Sequence, residues 1–159
     1  MQPLLIVVDY QVDFVTGQLA TPGASKLAGA IQQQIDNPDY EEIIYTLDTH
    51  IPQQYEQSKE KELFPEIHCE FKSEGWHFYE IKPRAKRLKG CDVFTGVVDE
   101  LAVPTNFCVG LEYFVMKPVF DAWEDNWRRP DWFPLFMAMQ FPPDEYEAVV
   151  CGVATNYCV

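Results

Sequence analysis

Hydrophobic residues along the chain fall into short runs separated by polar or helical stretches. Residues 4–8 and 42–47 are two such runs, rich in β-branched residues and too short for helices, and each runs directly into an aspartate, Asp9 or Asp48. Runs of this kind predict strands that are buried on both faces of a sheet. Between them, the apolar residues of 24–35 recur at helical spacing, which predicts a helix.

The rest of the pattern predicts three further strands and one long loop. The strands are expected near residues 91–95, 113–116 and 148–153, and the polar segment 51–90 is expected to be ordered only where other groups hold it. Strands that alternate with helices indicate a single α/β domain over residues 1–159, with three α/β/α layers and a mostly parallel sheet. Ligands of such sheets bind beyond the carboxyl ends of the strands. The residues that emerge there are Asp9, Asp48, Lys117 and Cys158.

The composition argues against several classes of function. Lys and Arg number 12 against 25 Asp and Glu, so the net charge of −13 would repel a nucleic-acid backbone. No stretch is long and apolar enough to cross a bilayer, and the N-terminus lacks a signal-type apolar run, so we expect a cytoplasmic protein without a membrane partner. The 5 cysteines, an odd number without a CxxC pair, argue against a disulfide framework and a cysteine-only zinc site.

A group of metal-ligand residue types follows the second predicted strand. Asp48 and His50 stand at the strand end, where both side chains can point the same way, and His68 follows in the loop. One carboxylate and two imidazoles make an open three-ligand site suited to zinc or iron, with Glu60 as a candidate fourth ligand. Each residue alone would be an ordinary capping, core or surface group. Together they predict a metal site, whereas His77 is expected to be structural.

Cys158 is the candidate nucleophile. The segment GVATN, between the last predicted strand and this cysteine, would present the thiol at the sheet edge, near backbone N–H groups that can hold an oxyanion. Lys117 and Asp9 offer a cation and a carboxylate at two other strand ends. Equally, the cysteine can be a buried structural residue, the lysine a surface residue and the aspartate a helix cap. Spacing does not decide between these interpretations.

Six segments resemble the isochorismatase-like cysteine hydrolases, in the order in which that family has them. They are LLIVVDYQVDF, YTLDTH, FPEIHC, SEGW, VMKPVFDAW and GVATNYCV. The resemblance covers the whole chain, although residues 91–112 and 124–147 carry little of it.

The resemblance implies a catalytic mechanism. Asp9 would take the proton of Cys158, Lys117 would stabilise the thiolate, and the thiolate would attack a carboxamide carbon with loss of ammonia. It also implies a cis peptide bond before Ala154, so that the N–H groups of Ala154 and Cys158 form the oxyanion hole.

Within the family, the aspartate and histidine set is the mark of the nicotinamidase-like branch, which implies conversion of nicotinamide to nicotinate and ammonia. A divalent metal, zinc before iron or manganese, would bind the pyridine nitrogen and supply the water that hydrolyses the thioester. The implied metal ligands are Asp48, His50 and His68, with Glu60 as an extra ligand. The implied pocket residues are Phe14, Gln11 and Phe64. The alternatives are a cysteine hydrolase of another small amide and a non-catalytic module that binds a metal or ligand.

The sequence departs from the family in two places. Relatives usually continue past the nucleophile with a helix, a strand and another helix, and the N-terminus of that helix would lower the pKa of the thiol. This sequence stops one residue after Cys158, so we expect the domain to lack that segment, either as a fragment or as a shortened relative that needs a partner chain. The aromatic, proline-rich stretch 123–143 does not align with the family. A homo-oligomer remains open.

Overall fold

A five-stranded sheet organises the protein in a computed structural model that describes residues 1–84, 106–119, 132–154 and 158. The strands are β1 (Gln2–Val8), β2 (Glu42–Asp48), β3 (Phe107–Val109), β4 (Glu112–Lys117) and β5 (Tyr146–Gly152). Their order across the sheet is β3-β4-β2-β1-β5. All neighbouring pairs are parallel except β3 and β4, which form an antiparallel hairpin.

The described helices are short. They are α1 (Val12–Val15), α2 (Ala28–Asp36), α3 (Pro52–Tyr55), α4 (Glu60–Leu63) and α5 (Trp132–Gln140), and a 3₁₀ turn (Ala24–Leu27) leads into α2. No helix in these segments has the length and apolar character needed to cross a bilayer.

Two hydrophobic clusters cover the two faces of the sheet, because successive side chains of a strand point to opposite sides. On one face Ile31 and Ile35 of α2 pack with Leu5 and Val7 of β1. On the other face the cluster joins residues of three strands to the α5 region, namely Leu4, Ile44, Val115, Phe133 and Phe141. The sheet therefore forms the middle layer of three, which confirms the predicted α/β class.

The order in which strands join the sheet reverses at β1. From β1 the chain adds β2 on one side, and β5 later returns to pair with the other side of β1. A reversal of this kind opens a crevice at the carboxyl ends of the strands, where ligands of parallel sheets bind. The fold thus points to the ends of β1, β2, β4 and β5 as the place to look for chemistry.

Four predicted strands and one predicted helix correspond closely to observed ones. The runs at 4–8, 42–47, 113–116 and 148–153 form β1, β2, β4 and β5, and the helical pattern at 24–35 forms the 3₁₀ turn and α2. The predicted strand at 91–95 lies outside the described residues. The sequence interpretation missed β3, which is only three residues long, and α5, whose sequence WFPLFMAMQ is apolar nearly all round and shows no helical stripe.

Hydrogen bonds to side chains outside the segment order residues 51–84, the described part of the predicted loop. The indole N–H of Trp76 donates to Thr49 Oγ1 at 2.9 Å, and the Cys69 N–H donates to Asp13 Oδ2 at 2.6 Å. These hydrogen bonds are buried or half-buried, where an unmade bond would be costly. They fix the segment that carries His68 against the sheet.

Gly152 gives a direct test of the strand arrangement around the crevice. Its φ is 134°, and an added Cβ would overlap the backbone of Val8. We expect Gly152→Ala to lower the free energy of unfolding by at least about 2 kcal/mol, because strain and overlap add. The control is Gly29→Ala in α2, where a Cβ meets nothing within 4 Å and a stabilisation of about 0.4–1 kcal/mol is expected. If urea unfolding gave the same change in the free energy of unfolding for both variants, the close approach of β5 to β1 would be contradicted.

Candidate active site and metal centre

A buried lysine lies between two carboxylates at the ends of the strands. Lys117 Nζ is 2.7 Å from Asp9 Oδ2 and 3.7 Å from Asp48 Oδ1, and the lysine is 1% exposed. It also donates to the carbonyl oxygen of Val119 at 3.0 Å. Burial opposes the charge of this lysine, but Asp9 and Asp48 prevail and raise its pKa. Lys117 is therefore a buried ammonium ion rather than a surface residue.

Strand register brings this group together. Asp48 pairs with Lys117 across β2 and β4, and Val8, the last residue of β1, pairs with Thr46. Asp9 then turns out of β1 with a φ of 46°, in the left-handed region that aspartate tolerates better than most residues. Thr46 Oγ1 donates to Asp9 Oδ1 at 2.7 Å, which fixes the carboxylate toward the lysine.

Cys158 completes this cluster. It follows β5 through a cis peptide bond between Val153 and Ala154, as the resemblance implies. Burial and the Asp9 carboxylate raise the pKa of its thiol, against the effect of Lys117. Burial also raises the pKa of Asp9, although Lys117 opposes it. The arrangement therefore favours a protonated thiol near a carboxylate.

The predicted oxyanion hole differs at one of its two donors. The Cys158 N–H donates to the Ala154 carbonyl oxygen at 3.0 Å, so an oxyanion would have to displace that bond. No hydrogen bond joins the Ala154 N–H to another residue in the part of the chain that the structure describes. The Ala154 N–H is thus the better-placed donor.

The four predicted metal ligands form one buried cluster. Their ligand atoms all lie within 4.8 Å of one another. His68 Nε2 is 3.2 Å from Asp48 Oδ2, 3.1 Å from Glu60 Oε1 and 3.3 Å from His50 Nε2. His50 Nε2 is 3.2 Å from Asp48 Oδ2 and 3.5 Å from Glu60 Oε1.

These distances fit a tetrahedral metal ion. Nitrogen and oxygen ligands about 2.0–2.1 Å from zinc stand about 3.3–3.4 Å from one another. The charges fit as well, because Asp9, Asp48 and Glu60 are buried carboxylates against the single ammonium of Lys117, and a divalent cation balances the difference. Glu60 Oε2 is buried without a hydrogen-bond partner among the described residues, as an oxygen left for a cation would be.

The imidazoles respond to the same imbalance of charge. Burial lowers the pKa of His50, but Asp48 and Glu60 outweigh it and raise the value to about 9. Burial would raise the pKa of Asp48, but Lys117 and His50 hold it well below its usual range. The cluster therefore attracts positive charge, which a metal ion would supply.

Gln11, predicted to bind substrate, is hydrogen-bonded to the backbone of Asp48. Its Nε2 donates to the carbonyl oxygens of Asp48 at 2.9 Å and Trp76 at 2.8 Å, and its Oε1 accepts the Asp48 N–H at 2.8 Å. The side chain is fully buried and its amide is used on both sides. These hydrogen bonds give Gln11 a role in positioning the backbone of Asp48, and its contact with a substrate stays a prediction.

The two predicted aromatic pocket residues flank one imidazole. The Phe14 ring lies 5.7 Å from His68 and the Phe64 ring 5.8 Å from it, both edge to face. Phe14 is buried and Phe64 is half-buried, so Phe64 is the one that faces the solvent side. His77 lies outside the metal cluster and contacts the ring of Trp76.

A cavity of about 590 Å³ adjoins the thiol on the face of the sheet covered by α5. Most of its lining is apolar, with Ile6, Val8 and Met137 among the residues. Its polar residues include Thr46, Lys117 and Cys158, and the described lining includes none of the four metal candidates. The cavity therefore reaches Lys117 and the thiol without the metal candidates forming part of its wall.

Sequence reasoning missed the supporting roles of three residues, Thr46, Gln11 and Tyr55. Thr46 stands two residues before Asp48 on the same face of β2, so strand alternation was a signal for it. Gln11 and Tyr55 carried no such signal, because their contacts cross from a loop to a strand end. Only the folded chain shows what they touch.

The amide of Gln11 is tested by an isosteric change. Gln11→Glu removes the two N–H donors and buries a charge next to Asp48, so we expect a loss of about 2–4 kcal/mol in the free energy of unfolding and weaker zinc binding. Gln33→Glu, on the exposed side of α2, is the control and should change neither. If Gln11→Glu unfolds in urea and binds zinc as the wild-type protein does, the positioning role is wrong.

No protein-family model and no curated protein matches the sequence. Solved structures do match. They include N-carbamoylsarcosine amidase from Thermoplasma acidophilum (20% identity, TM-score 0.62, covering 100% of this chain and 72% of that one). A pyrazinamidase of Pyrococcus horikoshii in complex with zinc has 20% identity and a TM-score of 0.60, covering 100% and 74%. A nicotinamidase from Bacillus subtilis has 19% identity and a TM-score of 0.59, covering 99% and 74%. The protein therefore has the fold of the isochorismatase-like hydrolases and of the nicotinamidases among them.

Proposed function

We propose that this protein is a metal-dependent cysteine amidohydrolase that converts nicotinamide to nicotinate and ammonia. The observation that carries the proposal is the junction at Asp48, where one carboxylate faces both centres. Its Oδ1 is 3.7 Å from Lys117 Nζ, and its Oδ2 is 3.2 Å from the imidazoles of His50 and His68. A small amide with a ring nitrogen can thus present its carboxamide to the thiol and its nitrogen to the metal candidates.

The residues of the Lys117 cluster account for both half-reactions. Asp9 accepts the thiol proton of Cys158 while the sulfur bonds to the carboxamide carbon, and the Ala154 N–H stabilises the oxyanion. The C–N bond then breaks, Asp9 returns the proton to the leaving nitrogen, and ammonia departs. Water attacks the thioester with its proton passing to Asp9, the C–S bond breaks, and the sulfur recovers a proton as the acid is released. Lys117 stabilises negative charge on sulfur throughout.

The candidate ligands for the metal are Asp48, His50, Glu60 and His68. A divalent ion bound there would supply a Lewis acid for a substrate nitrogen and for a water molecule. The tetrahedral spacing supports zinc first, with iron or manganese as alternatives. Phe14 and Phe64, on either side of His68, would pack against a flat aromatic substrate.

The apolar cavity supports a second candidate substrate class. It adjoins Cys158 and is lined mostly by aliphatic and aromatic residues rather than by the metal candidates. An aliphatic carboxamide could place its chain there and its carbonyl carbon at the thiol. The chemistry would be the same, and only the binding of the non-reacting part of the substrate would differ.

Ammonia release separates these functions. Zinc-loaded protein should release ammonia from nicotinamide faster than from hexanamide, and Cys158→Ala should reduce the release to background. Cys108→Ala, at an exposed cysteine in β3, is the matched control and should keep full activity. Faster release from hexanamide would favour the aliphatic substrate. Metal binding without release of ammonia from either amide would support the non-catalytic module.

The role of Asp9 predicts opposite effects on two reactions of the same thiol. Asp9→Asn removes the neighbouring charge that raises the pKa of Cys158, so more thiolate forms and alkylation of Cys158 by iodoacetamide accelerates at neutral pH. Amide hydrolysis should fall about 10²–10⁴-fold, because the proton acceptor is lost. The measurements are peptide mass spectrometry over a pH series and ammonia release, with exposed Asp39→Asn as the control. Unchanged alkylation in Asp9→Asn would show that Asp9 does not act on the thiol.

A further inference from the structure

Tyr55 lies directly behind the metal cluster, at the end of α3. Its hydroxyl oxygen is 3.4 Å from Nδ1 of His68, on the side of the imidazole opposite to the metal-facing Nε2. The same hydroxyl donates to the carbonyl oxygen of Phe64 at 2.6 Å. The residue is 2% exposed, so these groups meet away from solvent.

The direction of these hydrogen bonds is set by proton count. A neutral imidazole carries one N–H, and a nitrogen that ligates a metal must offer a lone pair. Nε2 of His68 faces Asp48 and Glu60 within the metal cluster, so a metal ion bound there would take its lone pair and leave the proton on Nδ1. Tyr55 has a single hydroxyl proton, which the short bond to Phe64 uses, so its oxygen is left to accept from His68 Nδ1–H. The chain of donors runs from His68 to Tyr55 to the Phe64 carbonyl.

The ring of Tyr55 also packs against both imidazoles. Its centroid is 4.7 Å from that of His50 and 5.6 Å from that of His68, and both contacts are edge to face. The backbone N–H of Phe64 in turn donates to the Glu60 carbonyl oxygen at 2.9 Å. Tyr55 therefore contacts two candidate ligands directly and connects through Phe64 to the segment that carries the third.

We propose that Tyr55 is a positioning residue of the metal centre, which holds metal-bound His68 in the Nδ1–H tautomer and fixes the backbone of Phe64 beside that imidazole. This inference rests on the proposed metal-dependent function. Groups that accept the second N–H of a ligating histidine commonly change metal affinity by 10–100-fold when they are removed. Tyr55 differs from the usual carboxylate or carbonyl partner in being itself tied to a pocket residue.

Tyr55→Phe tests the hydroxyl while keeping the ring against both imidazoles. We expect zinc affinity, measured by competition with a chromophoric chelator, to fall about 10–100-fold. In ¹H–¹⁵N NMR of the zinc-loaded protein, the Nδ1–H proton of His68 should move upfield, because it loses its hydrogen-bond acceptor. The matched control is Tyr113→Phe, which removes a half-buried hydroxyl bonded to Glu42 at the other end of β4 and should leave both readings unchanged.

The outcomes separate this role from the proposed function. If the wild-type protein and Tyr55→Phe both bind zinc, with equal affinity, the positioning role alone is overturned. Wild-type protein that binds none of zinc, iron or manganese would overturn the metal centre, and the role of Tyr55 with it. Should Tyr55→Phe fail to fold, 3-fluorotyrosine at position 55 keeps the ring and hydroxyl but weakens the oxygen as an acceptor, and a smaller loss of zinc affinity is expected. Unchanged affinity in that protein would again overturn the role.

Discussion

The burial of one positive charge organises this molecule. An ammonium ion removed from water is very unfavourable unless carboxylates surround it, and Lys117 has Asp9 on one side and Asp48 on the other. Three strands must hold their register for that arrangement, because Asp9 follows β1, Asp48 ends β2 and Lys117 ends β4. The electrostatic requirement and the sheet therefore depend on each other. A slip of one residue in any of these strands would turn a charged side chain to the opposite face.

The same requirement links the two halves of the site. One carboxylate oxygen of Asp48 faces Lys117 and the other faces the imidazoles, so the same charged side chain belongs to both centres. The excess of buried carboxylates makes the second centre electronegative whether or not a thiol stands nearby. Local negative potential of this kind arises from a few buried groups and is independent of the overall acidity of the chain. The net charge of the protein thus indicates little about the chemistry, whereas the balance of buried charges within the site indicates much.

Sequence patterns predicted the elements whose signal is local and left out those whose signal is not. The apolar runs before Asp9 and Asp48 identified β1 and β2, because strands buried on both faces are continuous in sequence. Helix α5 was missed because an apolar segment without a polar face has no period to detect. For the site, residue types and spacing predicted the cluster of metal-ligand side chains, whereas the roles of Cys158 and Gln11 came from the family resemblance. The hydrogen-bonding role of Gln11 was not predicted. Its three hydrogen bonds join positions far apart in sequence, which no local pattern can encode.

The pairing of β5 with β1 has a consequence for how the protein acquires its chemistry. The metal candidates lie within one stretch of chain from Asp48 to His68, whereas the thiol reaches Asp9 only after the last described strand has joined the first. Contacts between such distant segments form slowly in folding, because a large loop must close first. During synthesis the cation-attracting cluster can therefore assemble while the chain still lacks a nucleophile. Under the proposed function, hydrolysis would begin only in molecules in which β5 has joined β1.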